Sequence, residues 1–326
     1  MDSTLTVSSS PHIRSKESVS RIMLDVVIAL IPAAIAAVIS FGWRVALVIA
    51  VSVLSAVITE ALVQKLMKRP VTIKDYSAVV TGILLAYNLP PTIPLWIAVL
   101  GSVVAIVLVK QIFGGIGHNF MNPALAARAI LLAAWPTEMT TWESSNFDAV
   151  SNATSGATSS ATPLAILKSG EGVWAELPPL WDVFIGKVGG CIGEVSALAL
   201  LIGAGYLLIR QIISWRIPVT FIATVALLTW AFGGDGLFTG HGIYHIFSGG
   251  LILGAFFMAT DYSTSPVTPK GQLIMGVGCG IITSVIRLVG GYPGGVSYSI
   301  LIMNIATPLI DRYTRPRIYG EVKGNV

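Results

Sequence analysis

The sequence predicts an all-α integral membrane protein with about ten transmembrane helices in two five-helix halves. Three observations carry this. The 326 residues are 54% hydrophobic and 11% charged, whereas soluble domains carry roughly 25% charged residues. Seven apolar runs approach the roughly 20 residues a helix needs to cross a bilayer core: 22–41, 44–64, 95–113, 189–209, 217–233, 272–289 and 295–311. Three shorter runs, 77–89, 122–135 and 247–260, are broken by Gly, Pro or polar residues. When all ten are threaded from a cytoplasmic N-terminus, fifteen Lys and Arg fall on the cytoplasmic side, four fall outside, and Arg128 falls within a span. Such a bias sets orientation, and dropping one short span would scatter it.

Residues 1–21 are polar and lack the apolar core of a cleavable signal, so this segment is expected to remain and to face the cytoplasm. Residues 22–135 form the first half, with the short runs expected to be partly unwound helices. Irregular backbone at membrane depth is tolerated where protein or a cavity covers it. Residues 136–187 form a long outer loop, 188–311 the second half, and 312–326 a cytoplasmic tail. "VKQIFGGIGHN" (109–119) matches "IRLVGGYPGGV" (286–296) in its basic residue and Gly-Gly turn. "TGILLAYNLPP" (81–91) likewise parallels "GGLILGAFFMATDYSTSP" (249–266). Five spans per half would invert the second repeat, and inverted repeats with broken helices place ligands near their interface.

The outer loop is too long for a simple connection. It contains "SNATSGATSSATPLA" at 151–165, a tract of small polar residues. Composition alone reads it as a flexible linker. Its end reads differently. Thr162 suits a helix N-cap and Pro163 the first helical position. A hydroxyl there sits where backbone N–H groups favour a phosphate.

Other polar groups have competing readings. Asn119 and Asn122 precede a short span. They either satisfy backbone or present amide edges to a flat heterocycle. Arg128 needs a partner inside its span. Asp25, Glu60 and Asp261 lie near span ends and are read as structural, snorkelling to water. Glu194, after Gly189, Gly190 and Gly193, is the best acid for an ion pathway. His241 and His245 have metal-ligand spacing without an evident third ligand, so no metal is expected. Cys191 and Cys279 are expected to be buried thiols. No Walker A loop, dinucleotide fingerprint or Cys cluster occurs, so the chain has no evident site for a nicotinamide or an iron–sulfur cluster, and nucleic acid is not an expected partner.

"DAVS" (148–151), "SGAT" (155–158) and "ATPLAILK" (161–168) together resemble the flavin-attachment site of the NqrB/RnfD family, on its Rnf-complex side. "FGGIGHNFMNPALAARAILLAAWP" (113–136), "GEVSALALLIGAGYLLI" (193–209) and the stretch 258–316 are similar to further family motifs. The resemblance implies FMN joined through its phosphate to a threonine, with Asp148, Ala161, Pro163 and Leu164 in the attachment motif. The family's contiguous motif is stretched here, so three threonines compete. Thr162 has the longer downstream match, with Thr158 and Thr154 as alternatives. The resemblance also implies a second, noncovalent flavin (riboflavin or another) at Asn119 and Asn122.

By the same resemblance the chain is part of a multi-pass complex in a bacterial or archaeal cytoplasmic membrane. The complex would pass electrons between ferredoxin and NAD+ and move Na+ or H+. Expected partners are the other Rnf subunits, a flavin transferase during maturation, and membrane lipid. The rivals are an NqrB-like subunit passing electrons to quinone, and a secondary transporter with no redox role.

Overall fold

The computed structural model describes residues 18–142, 162–168, 177–234 and 236–316, and every regular element among them is helical. Asp148, Thr154, Thr158 and Ala161 lie outside the described residues.

Three helices are long and apolar enough to cross a membrane: Val19–Phe41, Trp43–Leu66 and Pro269–Leu288. Shorter apolar helices are Ser77–Tyr87, Leu95–Gln111, Pro123–Ala134, Ala197–Ile209 and Arg216–Phe232, and Val296–Thr314 closes the described bundle. Local signals set their ends. Gly42, at φ +84°, is the single residue between the first two helices, in a conformation that glycine adopts at little cost. Thr268 caps the helix begun by Pro269, and Ser196 caps the one begun by Ala197.

Two expected spans are not continuous. The run at 189–209 becomes helical only at Ala197, preceded by a 3-10 turn at Ile192–Glu194. Gly189, Gly190 and Gly193 each disfavour helix. The run at 247–260 breaks at Ser248–Gly249–Gly250, resumes at Leu251, and turns π-helical at Gly254–Met258. A second π-helical stretch, Ala105–Gln111, continues the helix begun at Leu95. Such widened turns occur often at functional sites.

Small residues bring helices close, as expected where lipid gives no hydrophobic drive to helix association. A Cβ on Gly82 would lie 2.7 Å from Val53 Cα, and one on Gly203 would collide with the Ala29 carbonyl. Helix Val19–Phe41 packs along Ala197–Ile209, and Pro123–Ala134 along Val296–Thr314. Trp43–Leu66 packs on Leu95–Gln111 as Arg216–Phe232 packs on Pro269–Leu288. The outer surface carries Ile35, Ile39, Leu54, Ile58, Ile202, Leu227 and Ile305, all more than half exposed. This is the surface of a protein that faces lipid.

Two of the three acids expected to snorkel, Asp25 and Glu60, are buried instead, while Asp261 is half-buried. Glu60 is 1% exposed and Lys110 3% exposed, and they pair at 2.8 Å. Gln64 and Gln111 also donate to Glu60, and Lys110 donates to Ser77 Oγ. Asp25 is buried and accepts from Tyr206 at 2.7 Å and Arg210 at 3.0 Å. A carboxylate short of the interface is stabilised by a fixed cation when water is out of reach. Both free cysteines are buried.

Candidate functional site

Two clefts among the described residues hold the candidate site residues. One is lined by Ser77, Lys110, Asn119, Asn122, Phe257 and Asp261. The other, the roomier of the two, is lined by Arg128, Thr162, Glu194, Ser248, Tyr292 and Tyr298. We call them the asparagine cleft and the threonine cleft. Each sits where the chain enters a helix: Asn119–Ala124 at Pro123–Ala134, Tyr292–Tyr298 at Val296–Thr314.

In the asparagine cleft the polar groups are largely committed to the protein. Asn122 Oδ1 accepts from the backbone N–H groups of Ala124 and Leu125 at 3.1 and 3.3 Å, and its Nδ2 donates to the Met258 carbonyl at 3.4 Å. It caps helix Pro123–Ala134, so its sequence position is fully accounted for by helix chemistry. Asn119 donates to the Met121 carbonyl at 3.1 Å and lies beside the Asp261 carboxylate. Burial pushes the Asp261 carboxyl above the ordinary carboxylate range. Hydrogen bonds from the Ser263 backbone, Thr264 and Asn119 oppose that rise.

The threonine cleft is organised by the short helix Pro163–Lys168. Thr162 Oγ1 accepts from Ala165 N–H at 3.3 Å, and the Thr162 carbonyl accepts from Ile166 N–H at 3.0 Å. The cap expected from the sequence is therefore present. Leu164 is buried against Gly249, where a Cβ would come within 2.5 Å of its side chain. Lys168 donates to the carbonyls of Gly290 and Tyr292. These contacts hold Thr162 at the cleft rim. Glu194 lies in the wall of the same cleft rather than inside a continuous span.

The segment around Ser248 is held by Arg287, which is 4% exposed. It donates to the carbonyls of His245, Ser248 and Gly294. Ser248 itself is 1% exposed, and its hydroxyl has no hydrogen-bond partner among the described residues. Sequence reasoning missed Ser248, Tyr292 and Tyr298. The break in a short apolar run at Ser-Gly-Gly was the signal for the first. Nothing local marked the tyrosines, because their place in the lining is set by the tertiary fold. Arg128 was expected to be structural or paired. It donates to Asn88 Oδ1 at 3.1 Å, Ser297 Oγ at 2.6 Å and Cys191 Sγ at 3.7 Å, all of them neutral acceptors. Among the described residues, no three His, Cys, Asp or Glu side chains cluster as a metal site would require.

Residues 6–320 match the NQR2, RnfD, RnfE family. The chain is 57% identical over 322 residues to the D subunit of the Na(+)-translocating ferredoxin:NAD(+) oxidoreductase complex of Acetobacterium woodii, covering 98% of this chain and 96% of that one. It is 47% identical over 327 residues to the D subunit of the proton-translocating ferredoxin:NAD(+) oxidoreductase complex of Clostridium ljungdahlii, covering 97% and 96%. It is 38% identical over 350 residues to the D subunit of an ion-translocating oxidoreductase complex of Escherichia coli, covering 98% and 99%. With apolar helices, a lipid-facing surface and a match running almost end to end, this multi-pass membrane chain belongs to the NQR2, RnfD, RnfE family.

Proposed function

We propose that the chain is the flavin-carrying membrane subunit of an Rnf-type complex. In it, electrons pass between ferredoxin and NAD+ with coupled movement of Na+ or H+. The names and near-complete coverage of the relatives support the complex. One observation supports the flavin above all: Thr162 stands fixed at the rim of a cleft that contains an unpartnered buried hydroxyl, Ser248 Oγ. An orphaned buried polar atom costs roughly 1–3 kcal/mol, and a bound group with a polar edge would relieve it. The residues present therefore fit FMN.

A bound flavin supplies a ring that takes up and returns one or two electrons. The rest is the work of the chain. Thr162 Oγ1 uses a lone pair to cap its helix, so a phosphoester in place of its O–H leaves the cap intact. Leu164 and Lys168 hold that oxygen in place over the cleft. The asparagine cleft would take the second, noncovalent flavin, with Asn119 and Asn122 in its wall. Glu194 opens on the threonine cleft, where a carboxylate would meet a cation at the mouth of the bundle.

The ten-crossing, two-half reading has structural support. Asp25–Arg210, Glu60–Lys110 and the Thr268–Thr314 hydrogen bond join segments expected at the cytoplasmic end. Arg44–Thr92, Lys168–Tyr292 and Arg287–His245 join segments expected outside. On this reading, bounds of 22–135 and 188–311 enclose the halves, 136–187 faces out, and 1–21 and 312–326 face the cytoplasm of a bacterial or archaeal cell. The threonine cleft is then the outer one, where a flavin transferase would act during assembly with the other Rnf subunits.

The test is flavin fluorescence of the denatured chain on a gel. The unaltered protein should fluoresce and Thr162→Ala should not, while Thr158→Ala and Thr154→Ala should. Retained fluorescence in Thr162→Ala would move the attachment to another threonine. A dark unaltered protein would end the covalent-flavin reading.

A further inference from the structure

We propose that Arg128 binds the charge-accepting edge of the group in the threonine cleft and thereby raises its reduction potential, with Ser248 as a second contact. This rests on the reading of Thr162 as the attachment point of FMN, and assigns the residues that recognise the ring.

Arg128 sits in helix Pro123–Ala134 and lines the cleft that has Thr162 at its rim. Three hydrogen bonds hold its guanidinium, to Asn88, Cys191 and Ser297. These acceptors come from three separate parts of the chain, so its direction is set by tertiary structure. None is an anion, and none of the three ion pairs among the described residues includes Arg128. Lys110 has Glu60, and the more exposed Arg210 has Asp25. The buried Arg287, like Arg128, has neutral acceptors, but these are the backbone carbonyls of His245, Ser248 and Gly294, which it holds together. A cation within a membrane protein ordinarily finds a carboxylate or faces a functional cavity. Arg128 does the second.

Ser248 supplies an independent sign of a ligand. Its hydroxyl is buried and bonds to nothing among the described residues, and Ser248 is among the residues that line the same cleft. Arg287 fixes the Ser248 carbonyl, so the hydroxyl is not free to seek water by moving the loop. Tyr292 and Tyr298 complete the wall, with ring centroids 6.0 Å apart and planes at 36°. Aromatic faces, an oriented cation and an unused hydroxyl together suit a flat heterocycle with a polar edge. A ring attached at Thr162 would have Arg128, Tyr292 and Tyr298 of the same cleft lining available to hold it.

The charge balance gives the functional consequence. Uptake of two electrons and one proton by the isoalloxazine leaves one negative charge on its pyrimidine edge. The electrons come from the complex's ferredoxin side, or from dithionite in a titration, and the proton comes from solvent. No protein bond forms or breaks. A fixed guanidinium in a site of low dielectric favours that anion. The Glu194 carboxylate in the same cleft opposes it, so Arg128 is the group that tips the balance.

The experiment is a dithionite titration of the intact complex, following the flavin that stays with this chain after denaturation. Arg128→Gln and Ser248→Ala should keep their in-gel fluorescence, because attachment is at Thr162. At the midpoint potential of the unaltered protein, Arg128→Gln should raise the oxidised-to-reduced ratio at least tenfold, about 30 mV for a two-electron couple. Arg128→Lys should stay within threefold. Ser248→Ala removes a hydroxyl that bonds to no described residue, so it tests the cleft even if Arg128→Gln fails to assemble. It should shift the ratio about threefold, in the same direction. Unchanged potentials in flavin-bearing Arg128→Gln and Ser248→Ala, or in Ser248→Ala alone where Arg128→Gln does not assemble, would overturn this assignment and leave the Thr162 reading standing. Absence of fluorescence from the unaltered protein would overturn both.

Discussion

The two clefts differ in how their polar groups are answered. In the asparagine cleft, Lys110 is paired with Glu60, and Asn122 uses its amide oxygen for a helix cap and one amide N–H for the Met258 carbonyl. In the threonine cleft, Ser248 Oγ is unpartnered and Arg128 has neutral acceptors only. A self-satisfied cleft is stable without a ligand. A cleft with orphaned donors carries a standing cost that binding removes. The covalent site of the proposed function falls in the second kind, and the noncovalent site in the first.

The largest test of that contrast is Thr162→Ala, which should remove covalent flavin completely while leaving acid-released flavin in place. Equal loss of both would mean the clefts are not independent. An all-or-none check of their placement comes from a membrane-impermeant thiol reagent on intact cells. A cysteine replacing Ser159 should react and one replacing Ser15 should not, and the reverse pattern would exchange the two faces.

Smaller effects sharpen the asparagine cleft. Lys110→Met strands a buried Glu60 carboxylate and should cost about 3–5 kcal/mol, read as loss of folded chain in detergent. Adding Glu60→Gln should recover much of it. Asn122→Leu removes an N-cap and should cost about 1 kcal/mol of stability, whereas Asn119→Leu should chiefly lower acid-released flavin. If Asn119→Leu leaves that flavin unchanged in a folded complex, the noncovalent site lies elsewhere. The smallest effect belongs to Lys187–Asp182, with side chains 43% and 32% exposed. Asp182→Asn should change the unfolding midpoint by less than about 0.5 kcal/mol equivalent, since exposed pairs contribute little.

Much of this molecule was legible from local chemistry. Apolar runs 22–41 and 44–64 became helices Val19–Phe41 and Trp43–Leu66 nearly residue for residue. Hydropathy and a glycine stop act within the segment itself. Thr162 and Pro163 announced their helix start, because a cap is a contact between near neighbours. The same holds for Asn122 and Pro123. That chemistry left one point open: a capping asparagine and a ligand-binding one look alike in sequence, and the partner atoms show that Asn122 is a cap.

What the sequence determined alone was therefore the class of protein, most helix positions, the family, and a short set of candidate threonines. Each follows from composition or from residues a few positions apart. Tertiary structure decided which groups are answered. Glu60 lies 50 positions from the lysine that neutralises it, Asn88 and Ser297 meet at Arg128, and Ser248 is isolated by a carbonyl held from Arg287. Charge neutralisation in a medium that excludes water depends on distance in space. No pattern along the chain could have separated the cation that has its partner from the one that faces a cleft.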